Sequence, residues 1–210
     1  MANVMRNFAG MKIHVLLFAL ALLVAACNVG EQQKTLPKLE SFTSKEIGWT
    51  IAIPAGFQLL SKSRVTANEE KGRAALGGKD QQTTETSSLQ HLVNFQKNQF
   101  NLFYTTIEPF EAKNKGAYTA NVQLVKKMVF DAYNNQHIKI DTASGKEIFG
   151  KQSFHAFYIK IYGPNGQLLM NQHLYSALIK GYEFSVNINY NNEDDHRILI
   201  DHFKSSSFVP

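Results

Sequence analysis

Tyr182-Glu183-Phe184-Ser185-Val186-Asn187-Ile188-Asn189-Tyr190 alternates large apolar residues with polar ones without a break, the period of a strand whose successive side chains point to opposite faces of a sheet. The even positions are read as core and the odd ones as polar. Directly before it, Lys180-Gly181 supplies a tight turn, and residues 168–179 form the preceding strand. With Ile179 opposite Tyr182, Ala177, Tyr175 and His173 pair with Phe184, Val186 and Ile188 on the core face. One turn further back, Gly163-Pro164-Asn165-Gly166 leads in from a strand over 154–162, and Gly150 separates that strand from another over 138–149. On the other side, Asn192 is placed to cap a helix. Glu193, Asp194 and Asp195 fill its first turn, where the helix dipole favours negative charge. Leu199 and Phe203 point inward from it, and Phe208 closes the chain as a short last strand.

Upstream, Ala117, Asn121, Leu124, Val125, Met128, Val129, Ala132 and Tyr133 recur at mostly three and four residues, which predicts a helix over 117–133 with one apolar face. Residues 89–95 and 100–107 read as strands separated by Lys97-Asn98-Gln99 and closed by Pro109. Residues 69–76 carry helix formers and stop at Gly77-Gly78, and a polar stretch over 79–88 reads as a loop. An opening pair of strands is expected around Phe42 and over 49–53, where Trp49, Ile51 and Ile53 alternate until Pro54.

The first 26 residues have another logic. Basic Arg6 and Lys12 precede an apolar run from Val15 to Val24 and then small Ala25 and Ala26, the layout of an export signal. The run is about half the roughly 20 apolar residues a transmembrane helix needs, so it is read as removed and not as an anchor. Met11-Lys12-Ile13-His14 opens a compact signal of its own, which leaves the start at Met1 or Met11 open. Val24-Ala25-Ala26-Cys27 resembles the lipobox of bacterial lipoproteins. That resemblance implies cleavage between Ala26 and Cys27 and a Cys27 carrying two or three acyl chains, enough for durable anchoring where one chain is marginal. Asn28 is not the aspartate that favours inner-membrane retention in enterobacterial lipoproteins. The outer membrane, on its periplasmic side, is therefore the expected address in a Gram-negative cell. Residues 27–38 form the lipidated N-terminus and a polar tether broken by Pro37, and residues 39–210 form one domain.

Cys27 is the only cysteine, so an exported chain has to be held by its core without disulfides. Loss of the signal removes Arg6 and Lys12 and no acidic residue, which lowers the net charge from +5 to +3. Such a weak balance, with no lysine or arginine cluster, leaves no nucleic-acid footprint.

Several patterns invite chemistry and fail its requirements. Of the seven histidines, His14 goes with the signal; His91, His137, His155, His173, His196 and His202 show no H-x-x-x-H spacing, and they read as core or edge residues, not metal ligands. His155 and His173 lie on neighbouring strands and meet only in one register. The run from Asn189 to Asp195 is rich in oxygen donors, but Asp194 stands where a calcium loop needs glycine and Ile200 where it needs a bidentate glutamate. In Gly72-Arg73-Ala74-Ala75-Leu76-Gly77-Gly78-Lys79 the lysine comes one place late, and Asp80 replaces the Mg²⁺-binding hydroxyl of a phosphate loop. No G-x-S-x-G is present. Fifteen Phe, eight Tyr and one Trp are mostly core on this pattern; Tyr104, Tyr158 and Tyr162 are the ones whose face it leaves undecided.

Taken together, Gly48-Trp49-Thr50-Ile51-Ala52-Ile53-Pro54, the long central helix, the aromatic hairpin, Gly181-Tyr182-Glu183-Phe184 and the acidic-capped helix ending Phe203-Lys204-Ser205-Ser206-Ser207-Phe208 resemble the PsbP-like superfamily. That superfamily takes in the extrinsic PsbP protein of photosystem II, a Ran-binding nuclear-import factor and bacterial envelope lipoproteins. The resemblance, over roughly residues 39–210, implies an α+β domain with an antiparallel sheet sandwiched between helices. It also implies an accessory or binding module, with no catalytic, metal or cofactor residues to carry over. The expected function is thus a non-catalytic module of a membrane-associated complex with an envelope protein partner. The alternative is a carrier of a small apolar ligand or lipid.

Overall fold

The computed structural model describes residues 40–75, 88–112, 114 and 116–209, so Ala26, Cys27 and the segment 76–87 lie outside the described residues. Its strands are β1 (Ser41–Ser44), β2 (Trp49–Ala52), β3 (Gln58–Leu59), β4 (Gln90–His91), β5 (Phe95–Gln96), β6 (Leu102–Pro109), β7 (Ile140–Phe149), β8 (Gln152–Tyr162), β9 (Leu168–Ile179), β10 (Tyr182–Tyr190) and β11 (Ser207–Phe208). Its helices are α1 (Lys62–Ala75), α2 (Ala117–Asn135) and α3 (Glu193–Lys204). The main sheet runs β3-β5-β6-β10-β9-β8-β7, with β4 also paired to β6, and a small sheet runs β1-β2-β11. Every pairing is antiparallel.

The register of the central hairpin is the one its turn dictates: Tyr182 opposite Ile179, Phe184 opposite Ala177, Val186 opposite Tyr175 and Ile188 opposite His173. Lys180 (φ 50°) and Gly181 (φ 81°) both take positive φ, as a two-residue turn that matches strand twist requires. The β7–β8 turn repeats the device with Gly150 (φ 53°) and Lys151 (φ 70°). Gly150 has a second constraint, because a Cβ there would lie 2.8 Å from Phe208 Cδ2 and 3.0 Å from the Ser206 carbonyl oxygen. Gly150→Ala is therefore expected to destabilise the fold by about 2 kcal/mol. Gly166→Ala, at a glycine with φ 78° and nothing within 4 Å of its Cβ position, should cost about 1 kcal/mol. Urea midpoints of the two variants make the comparison, and equal losses would show that the collision is not felt.

Strand alternation sorts the core into two faces. On one, Phe103, Phe154, Tyr175 and Phe184 pack with Trp49 of β2, Leu199 and Phe203 of α3 and Phe149. Trp49 lies 4.8 Å from the Phe184 ring, and its Nε1 donates to Ser206 Oγ at 2.9 Å. On the other, Phe157, Ile159, Ile161 and Met170 pack with Val129, Ala132 and Tyr133 of α2, while Leu102 and Tyr104 pack with Val65 of α1.

Three departures from the sequence reading have physical causes. Helix α1 begins at Lys62 and not near Glu69, because Ser61 caps it through Oγ to the Arg64 N–H (3.3 Å) and Leu60 packs against Val65 as a hydrophobic staple. The strand expected over 89–95 is interrupted. Asn94 Oδ1 accepts from the Thr105 N–H (2.8 Å) and Thr105 Oγ1 donates to the Val93 carbonyl (2.6 Å), so side chains replace ladder bonds there. The third departure is in β10, whose odd residues Glu183, Asn187 and Asn189 are as buried as its even ones.

Candidate functional site

The buried polar face of β10 is where α2 fails to close on the sheet. A cleft of about 50 Å³ remains, floored by Thr106, Ser176, Ser185 and Asn187, with Val122 and Val125 of α2 above and Phe157 and Leu174 as an apolar wall. Tyr104 bounds it on the β6 side, its hydroxyl accepting from Asn68 Nδ2 of α1. Burial pushes the Tyr104 hydroxyl up to about 12, with the Asn68 bond and Arg64 pulling back only in part.

Glu183 brings a carboxylate to this cleft. Asn121 Nδ2 donates to its Oε2 at 2.5 Å and Ser176 Oγ donates to its Oε1 at 3.2 Å, while Ser176 also shares a hydrogen bond with the Tyr118 hydroxyl. Burial, reinforced by Glu183, pushes the Tyr118 hydroxyl well above its ordinary range. Lys126 also lines the cleft, its ammonium 5.6 Å from the Phe157 ring centroid and its pKa lowered by burial. His155, opposite Ser176 in the β8–β9 ladder, is lowered by burial and then by Lys146 and Lys126. Serine, histidine and glutamate thus gather, but the serine proton is committed to Glu183. A nucleophile would need it directed to the histidine.

The opposite face carries a second cluster. His173 Nδ1 shares a hydrogen bond with the Tyr175 hydroxyl (3.2 Å) and its Nε2 one with the Tyr190 hydroxyl (3.1 Å). The His196 ring stacks on Tyr190 at 4.0 Å and lies 5.1 Å from His173, and its Nδ1 is 3.2 Å from Glu193 Oε2. Burial, then the nearby His196, lowers His173 to about 4. His155 and His173 do not meet, since Tyr158, not His155, stands opposite His173. Among the described residues no three His, Cys, Asp or Glu side chains gather as a metal would require.

The surface offers one further feature, a groove of about 400 Å³ between the β7–β8 turn, the β9–β10 turn and β11. Buried Ile47 and Ile179 lie at its base; Leu178 and Val209 line it at 40% and 60% exposure, with Lys151 and Lys180 beside them. Ile148, on β7 next to the turn, is 74% exposed.

The remaining sequence candidates have structural employment. Asn192 Oδ1 accepts from the Asp195 N–H at 2.9 Å, so the oxygen-rich run is a helix cap. Burial alone would raise the Asp195 carboxyl, but hydrogen bonds from Lys97 Nζ (2.7 Å) and Asn192 hold it below its ordinary value. Gly72 to Ala75 belong to the end of α1, and the rest of the phosphate-loop-like run lies outside the described residues. His91 pairs with Glu69 at 2.7 Å, His202 with the Ile198 carbonyl at 2.8 Å, and His137 follows α2 with φ 57°. Of the three undecided tyrosines, Tyr104 is buried, Tyr158 donates to Glu147 (2.8 Å) and Tyr162 to Asp141 (2.7 Å). Sequence spacing did not disclose the His173–His196 pair or the polar cleft. Ser185, Asn187 and Asn189 were its only trace, and they read equally as a solvated face.

With sheet order, helix positions and clefts in view, the domain has a PsbP-like fold. Among the solved structures that it matches is the solution structure of cyanobacterial PsbP (CyanoP) from Synechocystis sp. PCC 6803, at a TM-score of 0.53 and 8% identity, covering 89% of this chain and 99% of that one. At that identity the likeness concerns the fold alone. No family model and no curated protein matches the sequence.

Proposed function

We propose that this chain is a lipoprotein of the bacterial cell envelope, cleaved before Cys27, acylated there and tethered through residues 27–38. Its domain over 39–210, an antiparallel sheet sandwiched between helices, serves as a non-catalytic binding or assembly module of a membrane-associated complex. The protein faces the periplasm from the outer membrane if the cell is Gram-negative. The observation that carries the module reading is the surface groove, where Leu178 and Val209 stay exposed beside a core otherwise closed by aromatic rings. A carrier of lipid or of a drug-sized apolar ligand is less well supported, because the apolar-walled cleft under α2 holds only about 50 Å³, far below the roughly 300–1,000 Å³ of such pockets, and the groove of about 400 Å³ lies open at the surface with Lys151 and Lys180 along it. No helix among the described residues is long and apolar enough to cross a membrane, in keeping with attachment through acyl chains.

One experiment tests both halves. Tagged protein is cross-linked in membranes of its source and captured, and bound proteins and lipid mass are identified by mass spectrometry. Cys27→Ser should leave the membrane fraction and lose its lipid mass; a variant that stays bound with a lipid would sink the anchor. Leu178→Glu should stay anchored and folded but lose the partner that the unaltered chain captures, and retention of the same partner would remove the groove from the interface.

A further inference from the structure

Strand β7 is an outer strand of the main sheet, paired on one side only, with β8. The two edges of that sheet differ. The far edge ends in β3, two residues long, the kind of short strand that blunts an edge. β7 runs for ten residues in unbroken register, has no proline, and is exposed from Asp141 to Lys146 and again at Ile148. Its turn fixes which backbone groups are open. The two-residue turn Gly150-Lys151 closes on Phe149–Gln152 as a hydrogen-bonded pair, so the odd residues of β7 bond to β8 and the even ones turn their N–H and C=O outward. The Tyr162 N–H donates to the Lys139 carbonyl at 3.0 Å, in the same phase. Ile140, Thr142, Ser144, Lys146 and Ile148 therefore offer an open ladder. Their side chains stand on the α2 side of the sheet, where Ile140 packs with the α2 cluster.

That side is basic at Lys146. His155 stands opposite it in the ladder, and Lys126 of α2 lies 5.6 Å from the Phe157 ring centroid. Burial first, then Lys146 and Lys126, lowers the His155 pKa, so the three groups share one neighbourhood. None of them has an ion pair with a carboxylate among the described residues. The acids of β7 face the other way, Asp141 accepting from Tyr162 and Glu147 from Tyr158. We propose that the β7 edge docks an extended segment of a protein partner, which joins the main sheet as an antiparallel strand with a carboxylate opposite Lys146 and an apolar side chain opposite Ile148.

In such an added strand the backbone bonds supply affinity and alternate side chains supply specificity. The residue facing Ile148 comes two before the one facing Lys146, so the segment reads apolar-x-Asp/Glu. A lysine on an edge ordinarily wards off other strands. Backed by two more basic groups, it repels a cationic strand and attracts an acidic one. A second copy of β7 fits less well, because antiparallel pairing through the same open groups places only even residues opposite Lys146, and none of those is an acid. The edge shares no residue with the groove at Leu178 and Val209 and does not depend on the anchor.

The probe is the blocked peptide acetyl-Ile-Lys-Glu-Thr-Thr-Thr-Thr-Lys-Val-amide, whose isoleucine and glutamate face Ile148 and Lys146 and whose lysines face Glu147 and Asp141. It is titrated into the full chain in detergent micelles, with NMR on the backbone amides of Thr142, Ser144, Lys146 and Ile148. Saturable shifts and slowed hydrogen exchange at these amides are expected. The same peptide with lysine in place of glutamate should bind about five- to tenfold more weakly, and Lys146→Glu should reverse that order. A peptide N-methylated at its glutamate and at the threonine facing Ser144 keeps every charge but loses two ladder donors, and should not bind. Ser144→Pro removes one outward N–H, at a position where an edge strand tolerates proline, and should abolish binding while circular dichroism shows the domain folded. Equal binding of the glutamate and lysine peptides, binding of the N-methylated peptide, or no saturable shift with any of them would overturn the proposal. So would protection of the same amides that rises with protein concentration in the absence of peptide, which would give the edge to a second copy.

Discussion

Replacing Phe203 with alanine is expected to cost the fold about 3–5 kcal/mol, the range for emptying a fully buried phenyl site that cannot collapse. The ring is fully buried and lies 4.3 Å from Phe149, 5.4 Å from Phe154, 5.7 Å from Tyr175 and 5.9 Å from Phe103, centroid to centroid. Those four rings stand on β6, on β8 and β9, and at the end of β7, so the side chain is the point at which α3 grips the main sheet. Its backbone carbonyl also accepts from Ser206 Oγ at 2.7 Å, and that serine in turn accepts from Trp49 Nε1. The loss should therefore spread beyond the cavity to the small sheet, and the Trp49 fluorescence should red-shift in the variant before the main unfolding transition. Urea unfolding followed by fluorescence and by far-ultraviolet circular dichroism measures both effects. A loss below about 1 kcal/mol would mean that the neighbouring rings relax into the space and that the aromatic face is not close-packed.

The parts of this fold that could be read from the chain are those in which one face of an element is plainly apolar. β10 announces itself because Phe184, Val186 and Ile188 alternate with polar residues, and the register to β9 follows from a two-residue turn at Lys180-Gly181. Helix α3 is legible at both ends, since Asn192 caps it and Leu199 and Phe203 share a face. What the alternation could not say is that the polar side of β10 is also covered. Asn187 in a half-buried strand and Asn187 under a helix are the same letter, and α2 reaches it from a segment 62 residues away in the case of the Asn121–Glu183 contact. The interruption between β4 and β5 escaped for a related reason, because Asn94 and Thr105 exchange side-chain bonds that leave no periodic mark. The lipobox-like run ending at Cys27 is a different kind of signal, local and independent of the fold. The candidate cleft, by contrast, depends on four strands and a helix meeting, which no local pattern encodes.

Lowering the pH from 7 to 4.5 is expected to cost the fold up to about 3 kcal/mol through His173 alone. Its ring is held between the Tyr175 and Tyr190 hydroxyls, with Tyr158 against its face and His196 5.1 Å away, and burial followed by His196 lowers its pKa from 6.5 to about 4. The native state therefore holds the neutral ring, while the unfolded chain protonates near 6.5. Above that value neither state carries the proton and the stability is fully present. Between 6.5 and about 4 the unfolded chain alone takes it up, so stability falls with pH at up to about 1.4 kcal/mol per unit. The carboxylates act in a lower window: Asp195, held below its ordinary value, loses its contribution only as pH falls past the usual carboxylate range. His173→Gln, which can still bond both tyrosines, should flatten the slope between pH 6.5 and 4.5 and leave the slope below it in place. The comparison is made by urea unfolding at half-unit steps. If both proteins show the same slope between 6.5 and 4.5, His173 is protonated in the native state, and the charge is accepted where Tyr190 and His196 stack. If the slope is lost in the variant, acid first acts at the junction of β9, β10 and the N-terminal turns of α3. Glu193 sits 3.2 Å from His196 there, so the buried histidine, its two tyrosine partners and the first turn of α3 form one contact region at that junction.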